Sequence, residues 1–525
     1  MKLPSYVSGQ WKEGAGEGEP LFDPVTGDEL ARISSQGVDV GAALDFARRE
    51  GGPALRELSY VQRAELLSKM ADVLSANRDE YFRLSLLNLG ANQADASFDV
   101  DGAIYTVKYY AKIGRALAEG KILKDGAQIP LSKTAAFVGQ HFLIPTKGAA
   151  VFINAFNFPA WGFCEKGAPA LLSGVPIVIK PASPTTWVTH RMVEDIVKAG
   201  ILPSGAISII CGSARDLLDH IRESDVVSFT GSADTAMRVR SHSNILRRSV
   251  RVNIEADSIN TAILGPDVAA GTDLFDLLVK EVVKEITLKA GQKCTTIRRI
   301  LVPSQQLKTL GDAVSTRLSS AKVGNPRNAE VKVGPVVNKA QQAACFTGLR
   351  KLKQECDVLF GGDENFQPID ADPLKSSFVQ PALLSCKNGL EAKYVHDVEV
   401  FGPAATLIPY ETSGNAVALA RRGLGSLVAS VFSNDSPFTQ NFVLGTGDLH
   451  GRVLVVDSAV GSQHTGHGNV VPSCLHGGPG RAGGGEELAG LRALLLYHRR
   501  FVVQGPATHI SDLVGSSADA SLLYS

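Results

Sequence analysis

Apolar positions along this chain change period several times, and the changes divide it into blocks. Over residues 42–120 they recur every three or four positions, as in Ala64-Glu65-Leu66-Leu67-Ser68-Lys69-Met70, the spacing that lays one apolar stripe along a helix. The residues before this block are turn-rich, with Asp23-Pro24-Val25-Thr26-Gly27-Asp28 as a turn cluster. Over residues 126–147 the apolar runs shorten and mix with polar residues, and residues 137–144 read as an extended ribbon.

The next block is the most regular. Short apolar runs at residues 149–155, 176–180, 206–210 and 226–229 alternate with helical patterns at 161–172, 185–199 and 214–222. Strand–helix alternation of this kind implies right-handed crossovers and a parallel sheet covered on both faces. Two further runs, at 252–254 and 261–264, are expected to complete that sheet. A second α/β block opens with Phe275, Leu278, Val279, Val282, Val283 and Ile286 at helical spacing, and residues 289–293 read as that helix's exit. Strands are expected at 300–303, 404–408 and 427–432, and helices at 305–318, 340–353 and 416–422. Residues 458–487 are dense in glycine and histidine. No internal repeat is evident, and the last dozen residues, small and polar, are expected to be loosely held.

Composition narrows the class. With 525 residues the chain is long enough for two or three domains, and its 53 basic residues balance 53 acidic ones. That balance removes the broad electrostatic case for nucleic acid or an acidic membrane surface. Seven scattered cysteines without a CxxC pair fit neither a disulfide framework nor a zinc site and suit a reducing cytosol. The N-terminus lacks a signal-peptide apolar region, and no apolar run is long enough to span a bilayer. The expectation is a soluble cytoplasmic protein.

Candidate chemistry centres on Lys289-Ala290-Gly291-Gln292-Lys293-Cys294-Thr295-Thr296, which presents one cysteine between a helix and a strand. Nearby lysines would lower the Cys294 pKa and make it a nucleophile, whereas taken alone the residue reads as a small buried apolar group. The only GxGxxG match, residues 478–483, follows no strand and carries a proline in its turn, so it is a glycine-rich loop rather than a nucleotide fingerprint. A different cradle is available at Phe229-Thr230-Gly231-Ser232, where a strand opens a helix whose free N–H groups suit a phosphate; an ordinary strand–helix connection fits the pattern equally well. Asn154 and Asn157 end the first strand of the block, Lys180 the second, and Glu255 a later one, where ligands of open parallel sheets bind. A carboxylate such as Glu255 or Glu399 at such a place is either a general base or an exposed cap. His464, His467 and His476 lack consistent helical spacing and a fourth ligand type, so no metal is expected; they read as loop residues or as a lining for a substrate entrance.

Taken together, Gly9-Gln10-Trp11, Asp23-Pro24-Val25-Thr26-Gly27, Phe156-Asn157-Phe158-Pro159, Lys180-Pro181-Ala182-Ser183, Phe229-Thr230-Gly231-Ser232, Glu255, Gly291-Gln292-Lys293-Cys294 and Glu399-Val400-Phe401-Gly402-Pro403 occur in the order of the aldehyde dehydrogenase superfamily, which nearly the whole chain resembles. The resemblance implies an α/β fold with a Rossmann-like cofactor domain, an α/β catalytic domain and a small β oligomerisation flap. The implied divisions are 1–125 and 148–268 for the cofactor, 269–485 for catalysis, and 126–147 with 486–525 for the flap and tail. It implies Cys294 as nucleophile, the Asn157 amide and the Cys294 backbone N–H as oxyanion donors, and Glu255 as the base that activates water. Cofactor contacts are implied for Ile153, Asn154, Lys180, Ala182, Ser183, Phe229, Thr230, Gly231, Ser232, Glu399 and Phe401, and substrate contacts for Phe158, Thr295 and His467. A homodimer is also implied, for which residues 137–144 would be an edge ribbon needing cover.

Two departures sharpen the expectation. Members preferring NAD commonly carry glutamate where Ser183 stands; serine leaves room for a 2′-phosphate, so NADP is expected, with NAD weaker. After Glu255 the usual Leu-Gly-Gly is replaced by Ala256-Asp257-Ser258. This variant, with the runs at 465–469 and 476–487, resembles a narrower group acting on CoA-linked semialdehydes in the breakdown of aromatic compounds. Some of its members continue into a hydratase domain; the end at Ser525 favours the stand-alone type. A CoA-acylating enzyme is the nearest rival, and the presence of Glu255 argues against it. A nucleotide-independent cysteine hydrolase or acyltransferase would leave Lys180, Gly231 and Glu399 without a role.

Overall fold

The computed structural model describes residues 1–213 and 216–524. Five parallel strands form the centre of the first sheet: β1 (Ala150–Ile153), β2 (Ile177–Lys180), β3 (Ile207–Ile209), β4 (Val226–Thr230) and β5 (Arg251–Glu255). Their order is β5-β4-β1-β2-β3, continued by the antiparallel pieces Ser5–Val7 and Gln10–Lys12. Each of the five is a short apolar run with both faces covered by helices and connecting segments, which is why it lacks the alternation of a half-exposed strand.

The register brings four polar strand ends together. Ile153 is level with Lys180 and with Phe229, and Thr230 is level with Glu255. The carboxyl ends of β1, β2, β4 and β5 therefore open on one rim, the usual position of a ligand crevice in a parallel sheet.

The second sheet contains β6 (Asn260–Leu264), β7 (Ile297–Pro303), β8 (Ala382–Ser385), β9 (Ala404–Tyr410), β10 (Ser426–Phe432) and β11 (His450–Val456), in the order β8-β9-β7-β6-β10-β11. Asp357–Gly361 adds an antiparallel edge beside β8. The strand at 261–264, expected in the first sheet, belongs here, between β7 and β10. Only Ala256 to Ile259 separate Glu255 from it, so the chain crosses from one sheet to the other directly beyond the Glu255 carboxylate.

Leu123–Pro130, Phe137–Pro145, His498–Pro506 and Ala518–Asp519 make a separate four-stranded sheet. Phe137–Pro145 is an inner strand, paired on both sides, so it is not the edge that the sequence suggested. The edges are His498–Pro506, which carries exposed Phe501 and Val502, and the two-residue Ala518–Asp519. The C-terminal residues are also better anchored than their polarity suggested. Helix Ala507–Gly515 buries Ile510, and Ala520 and Leu523 pack into the core around the helices. Of the helix expected over 214–222, residues 214 and 215 lie outside the described residues, and Leu217–His220 forms a 3-10 turn. Among the described residues no helix is long and apolar enough to cross a membrane.

Candidate active site

Cys294 is placed by a helix, a strained turn and the amino end of the second sheet. Asp273–Thr287 forms a helix capped by the Thr272 side chain, with Asp273 and Asp276 in its first turn where the helix dipole favours acids. It buries Leu274, Phe275, Leu278, Val282 and Ile286. Three successive residues, Lys289, Ala290 and Gly291, then adopt left-handed backbone at φ 54°, 50° and 66°. A non-glycine residue there costs about 1–2 kcal/mol, so the turn is held by its surroundings. The Lys289 N–H donates to Asp95 at 2.6 Å, and Arg298 donates to the carbonyls of Gly291 and Gly402 at 2.9 and 2.7 Å. Gly291 is required for a second reason: a Cβ there would lie 2.2 Å from the Gly402 oxygen. Beyond the turn, the Asn260 amide donates to the carbonyls of Cys294 and Thr296 at 2.7 and 3.0 Å.

This arrangement aims the half-buried thiol at the rim of the first sheet. Cys294, Glu255 and Asn157 all line one narrow cavity, together with Phe158, Trp161, Glu165 and Lys166. The same three residues line the inner end of a larger cleft of about 580 Å³. The Asn157 amide donates to the Gln292 carbonyl at 3.0 Å, which ties the first-sheet rim to the cysteine loop.

The lysines do not activate the thiol as the sequence suggested. Lys293 is fully buried in an ion pair with Glu285 at 2.6 Å, and Lys289 lies over the Phe158 ring at 4.8 Å. Burial pushes the Cys294 thiol well above its ordinary pKa, and the adjacent Glu255 carboxylate, which accepts its hydrogen bond, pushes it further. In this geometry the resting thiol is protonated.

Glu255 is itself almost completely buried. Burial raises its pKa, but His476, Lys166 and the Cys294 hydrogen bond outweigh that effect and hold it well below the ordinary carboxylate range. His476 Nε2 is 2.8 Å from Glu255 Oε2, an ion-pair distance without the alignment of a directional hydrogen bond. Behind them lies a buried charge cluster. Lys166 pairs with Glu165 and, at 3.2 Å, with Glu487, whose other oxygen accepts from Asn253 at 3.0 Å. Glu165, Lys166 and Glu487 are neighbours of the site that the sequence did not single out, whereas His476, expected in a loop or at the substrate entrance, lies buried against Glu255. The signal available was two adjacent charges inside the apolar helix Trp161–Leu172.

The glycine-rich run rejected as a nucleotide motif has a structural task. Residues 482–485 lie flat on the β5 backbone, where a Cβ at Gly483 would be 2.4 Å from the Ile254 oxygen. The Ala482 carbonyl accepts from the Ala256 N–H at 2.9 Å, so this run packs against the strand that carries Glu255.

The 580 Å³ cleft collects Asn154, Lys180, Ala182, Ser183, Phe229, Thr230, Gly231, Ser232, Glu399 and Phe401 on its walls, and of the expected cofactor residues only Ile153 is absent from them. Burial lowers the Lys180 pKa. Burial raises the Glu399 carboxyl to about 7, against the pull of Arg298. Helix Ala233–Arg240 opens at Ser232, but its first N–H groups are not all free: the Ala233 N–H donates to Asp257 at 3.0 Å and the Thr235 N–H to the Ser232 hydroxyl at 3.4 Å. Asp257, one of the residues departing from the family pattern, thus places a carboxylate in the cleft where a free phosphate cradle was expected.

The substrate-side expectations separate. Phe158 lines the inner cavity beside Cys294. Thr295 is buried, its hydroxyl donating to the Gly468 carbonyl at 3.0 Å. His467 is fully buried with Nδ1 2.5 Å from the Ser430 hydroxyl and its backbone N–H donating to Glu281 at 2.7 Å, so it supports the loop behind the cysteine and lines neither cavity. The three histidines have different partners: His464 accepts from the Gly466 N–H, His467 contacts Ser430, and His476 contacts Glu255.

Known proteins share both pattern and fold. The aldehyde dehydrogenase family model matches residues 11–460. The chain is 64% identical over 479 residues to 3,4-dehydroadipyl-CoA semialdehyde dehydrogenase of Aromatoleum evansii, covering 91% of this chain and 93% of that protein. It superposes on a point variant of apo betaine aldehyde dehydrogenase of Staphylococcus aureus with a TM-score of 0.83 at 25% identity, covering 96% and 95% of the two chains. A double variant of that enzyme in complex with NAD+ aligns with the same TM-score at 24% identity, over 96% of each chain.

Proposed function

The chain belongs to the aldehyde dehydrogenase family, and from that premise we propose that it oxidises a CoA-linked semialdehyde, 3,4-dehydroadipyl-CoA semialdehyde, to the acid with NADP as hydride acceptor. The substrate assignment rests on the 64% identity to the Aromatoleum evansii enzyme of that name across nine-tenths of both chains. The mechanism rests on one observation: a thiol, a carboxylate and an amide from distant parts of the sequence line one cavity at the inner end of a cleft of cofactor size.

In this reading Cys294 loses its proton to water in the cleft and attacks the aldehyde carbonyl as a thiolate, a step that the neighbouring Glu255 charge opposes rather than drives. The Asn157 amide and the Cys294 N–H receive the developing oxyanion, a contact that strengthens as charge forms. Bound nicotinamide supplies the acceptor for the hydride. What remains on the protein is a Cys294 thioester. Glu255 takes a proton from water as the water oxygen attacks the thioester carbon; the C–S bond breaks and the acid leaves.

The cleft fits a dinucleotide. Lys180 and Glu399 stand on it as partners for ribose hydroxyls, and Ser183 leaves the space in which a glutamate would repel a 2′-phosphate. A homodimer formed through the uncovered His498–Pro506 edge completes the reading. The test compares NADP and NAD reduction over a panel of free and CoA-linked semialdehydes. Highest kcat/KM for NADP with a CoA-linked substrate is expected; equal rates on free semialdehydes, or a preference for NAD, would overturn the assignment.

A further inference from the structure

His476 belongs to a histidine group whose spacing carries no metal signature, and the proposed chemistry does not use it. Its surroundings are specific. The imidazole is inaccessible to solvent, with its ring edge-on to Trp161 at 5.3 Å between centroids. Nε2 lies 2.8 Å from Glu255 Oε2, and ligand-capable atoms of His476, Glu255 and Cys294 all fall within 4.8 Å of one another. At 2.8 Å the imidazole nitrogen and the carboxylate oxygen are within ion-pair reach of one another, though not aligned as a directional hydrogen bond. His476 stands on the hairpin strand Leu475–Gly478, directly across from Glu487 on Gly485–Leu488. The charged groups around the pair are Glu165 and Lys166 from the helix, Glu487 from the facing strand, the Cys294 thiol on the cavity side and, further off, Arg452.

We propose that His476 is a positioning residue for the base: it grips one oxygen of Glu255 and leaves the other to serve Cys294 and the hydrolytic water. Without it the cations left near this deeply buried carboxylate are the more distant Lys166 and Arg452. Burial then favours the protonated acid, which cannot accept a proton from water. The thiol side of the reaction depends less on His476, since it contacts Glu255 rather than the nucleotide cleft. The inference rests on the reading of Glu255 as the deacylation base.

His476 depresses the Glu255 pKa, so its removal raises that pKa, and the ionised base is lost at a higher pH as acidity increases. The test is the pH profile of acyl-enzyme hydrolysis, with the amplitude of the NADPH burst measured in the same samples for wild type, His476→Leu, His476→Gln and Glu255→Gln. His476→Leu is expected to keep its burst and to move the acid limb of acyl-enzyme hydrolysis up by about one pH unit, so that on that limb it hydrolyses about tenfold more slowly than wild type at the same pH. His476→Gln, which restores an N–H donor, should recover most of the rate. An unmoved acid limb, or a burst lost together with hydrolysis, overturns the proposal. If Glu255→Gln itself fails to accumulate acyl-enzyme, it is the assignment of the base that falls.

Discussion

Replacing Glu255 by glutamine should make Cys294 more reactive toward an alkylating agent, the opposite of what removal of a thiol-activating base would do. Ligand-capable atoms of the two side chains lie within 4.8 Å of one another, and Glu255 is almost completely buried. At an effective dielectric constant of about 20, two unit charges at that separation repel by about 3 kcal/mol, which corresponds to about a hundredfold in an ionisation equilibrium. Burial and this carboxylate together raise the Cys294 pKa, so loss of the negative charge lowers it and increases the thiolate fraction at pH 7 by about a hundredfold. A thiolate of lower pKa is intrinsically less nucleophilic, with a Brønsted slope of about 0.5, which returns about half of that gain on a logarithmic scale. The net expectation is about a tenfold faster second-order rate for iodoacetamide in the absence of cofactor. Mass spectrometry of the peptide containing Cys294 separates it from the exposed Cys474. Equal or slower alkylation of the glutamine variant would refute the electrostatic reasoning and identify Glu255 as the group that deprotonates the resting thiol.

Two substitutions probe the framework. Gly291→Ala forces a Cβ against the Gly402 carbonyl at a left-handed position, and should lower the melting temperature by several degrees and abolish the NADPH burst; retention of both would mean the turn does not place the thiol. Ser183→Glu puts a carboxylate on the cleft wall and should raise KM for NADP by about tenfold or more while sparing NAD, and an unchanged ratio of the two would remove Ser183 from the account of cofactor choice.

The sequence was most informative where one physical signal dominated. The apolar runs ending at Ile153, Lys180, Thr230 and Glu255 are strands because they are buried on both faces, and their polar ends are the cleft. The helix before Cys294 was readable from its apolar stripe. Sheet membership was not. Residues 261–264 are as apolar as their neighbours, and only the crossing at Ala256–Ile259 assigns them to the second sheet. Buried ion pairs were equally hidden: Lys293 looks like an activating charge until Glu285, on the helix that leads into the turn, neutralises it. The Glu165–Lys166–Glu487 cluster joins residues far apart in the chain, so spacing alone gave no sign of it. The C-terminal residues looked loose because their few apolar anchors, Ile510, Ala520 and Leu523, are widely separated.

The central claim is that Cys294 carries the acyl group and Glu255 releases it, and rapid mixing of the Glu255→Gln variant with aldehyde and NADP tests this most directly. The account predicts a burst of NADPH close to one per site, then near arrest, and an intact-mass increase equal to the acyl group that maps to Cys294. Steady turnover without a burst, or an acyl group found on any other residue, would contradict it.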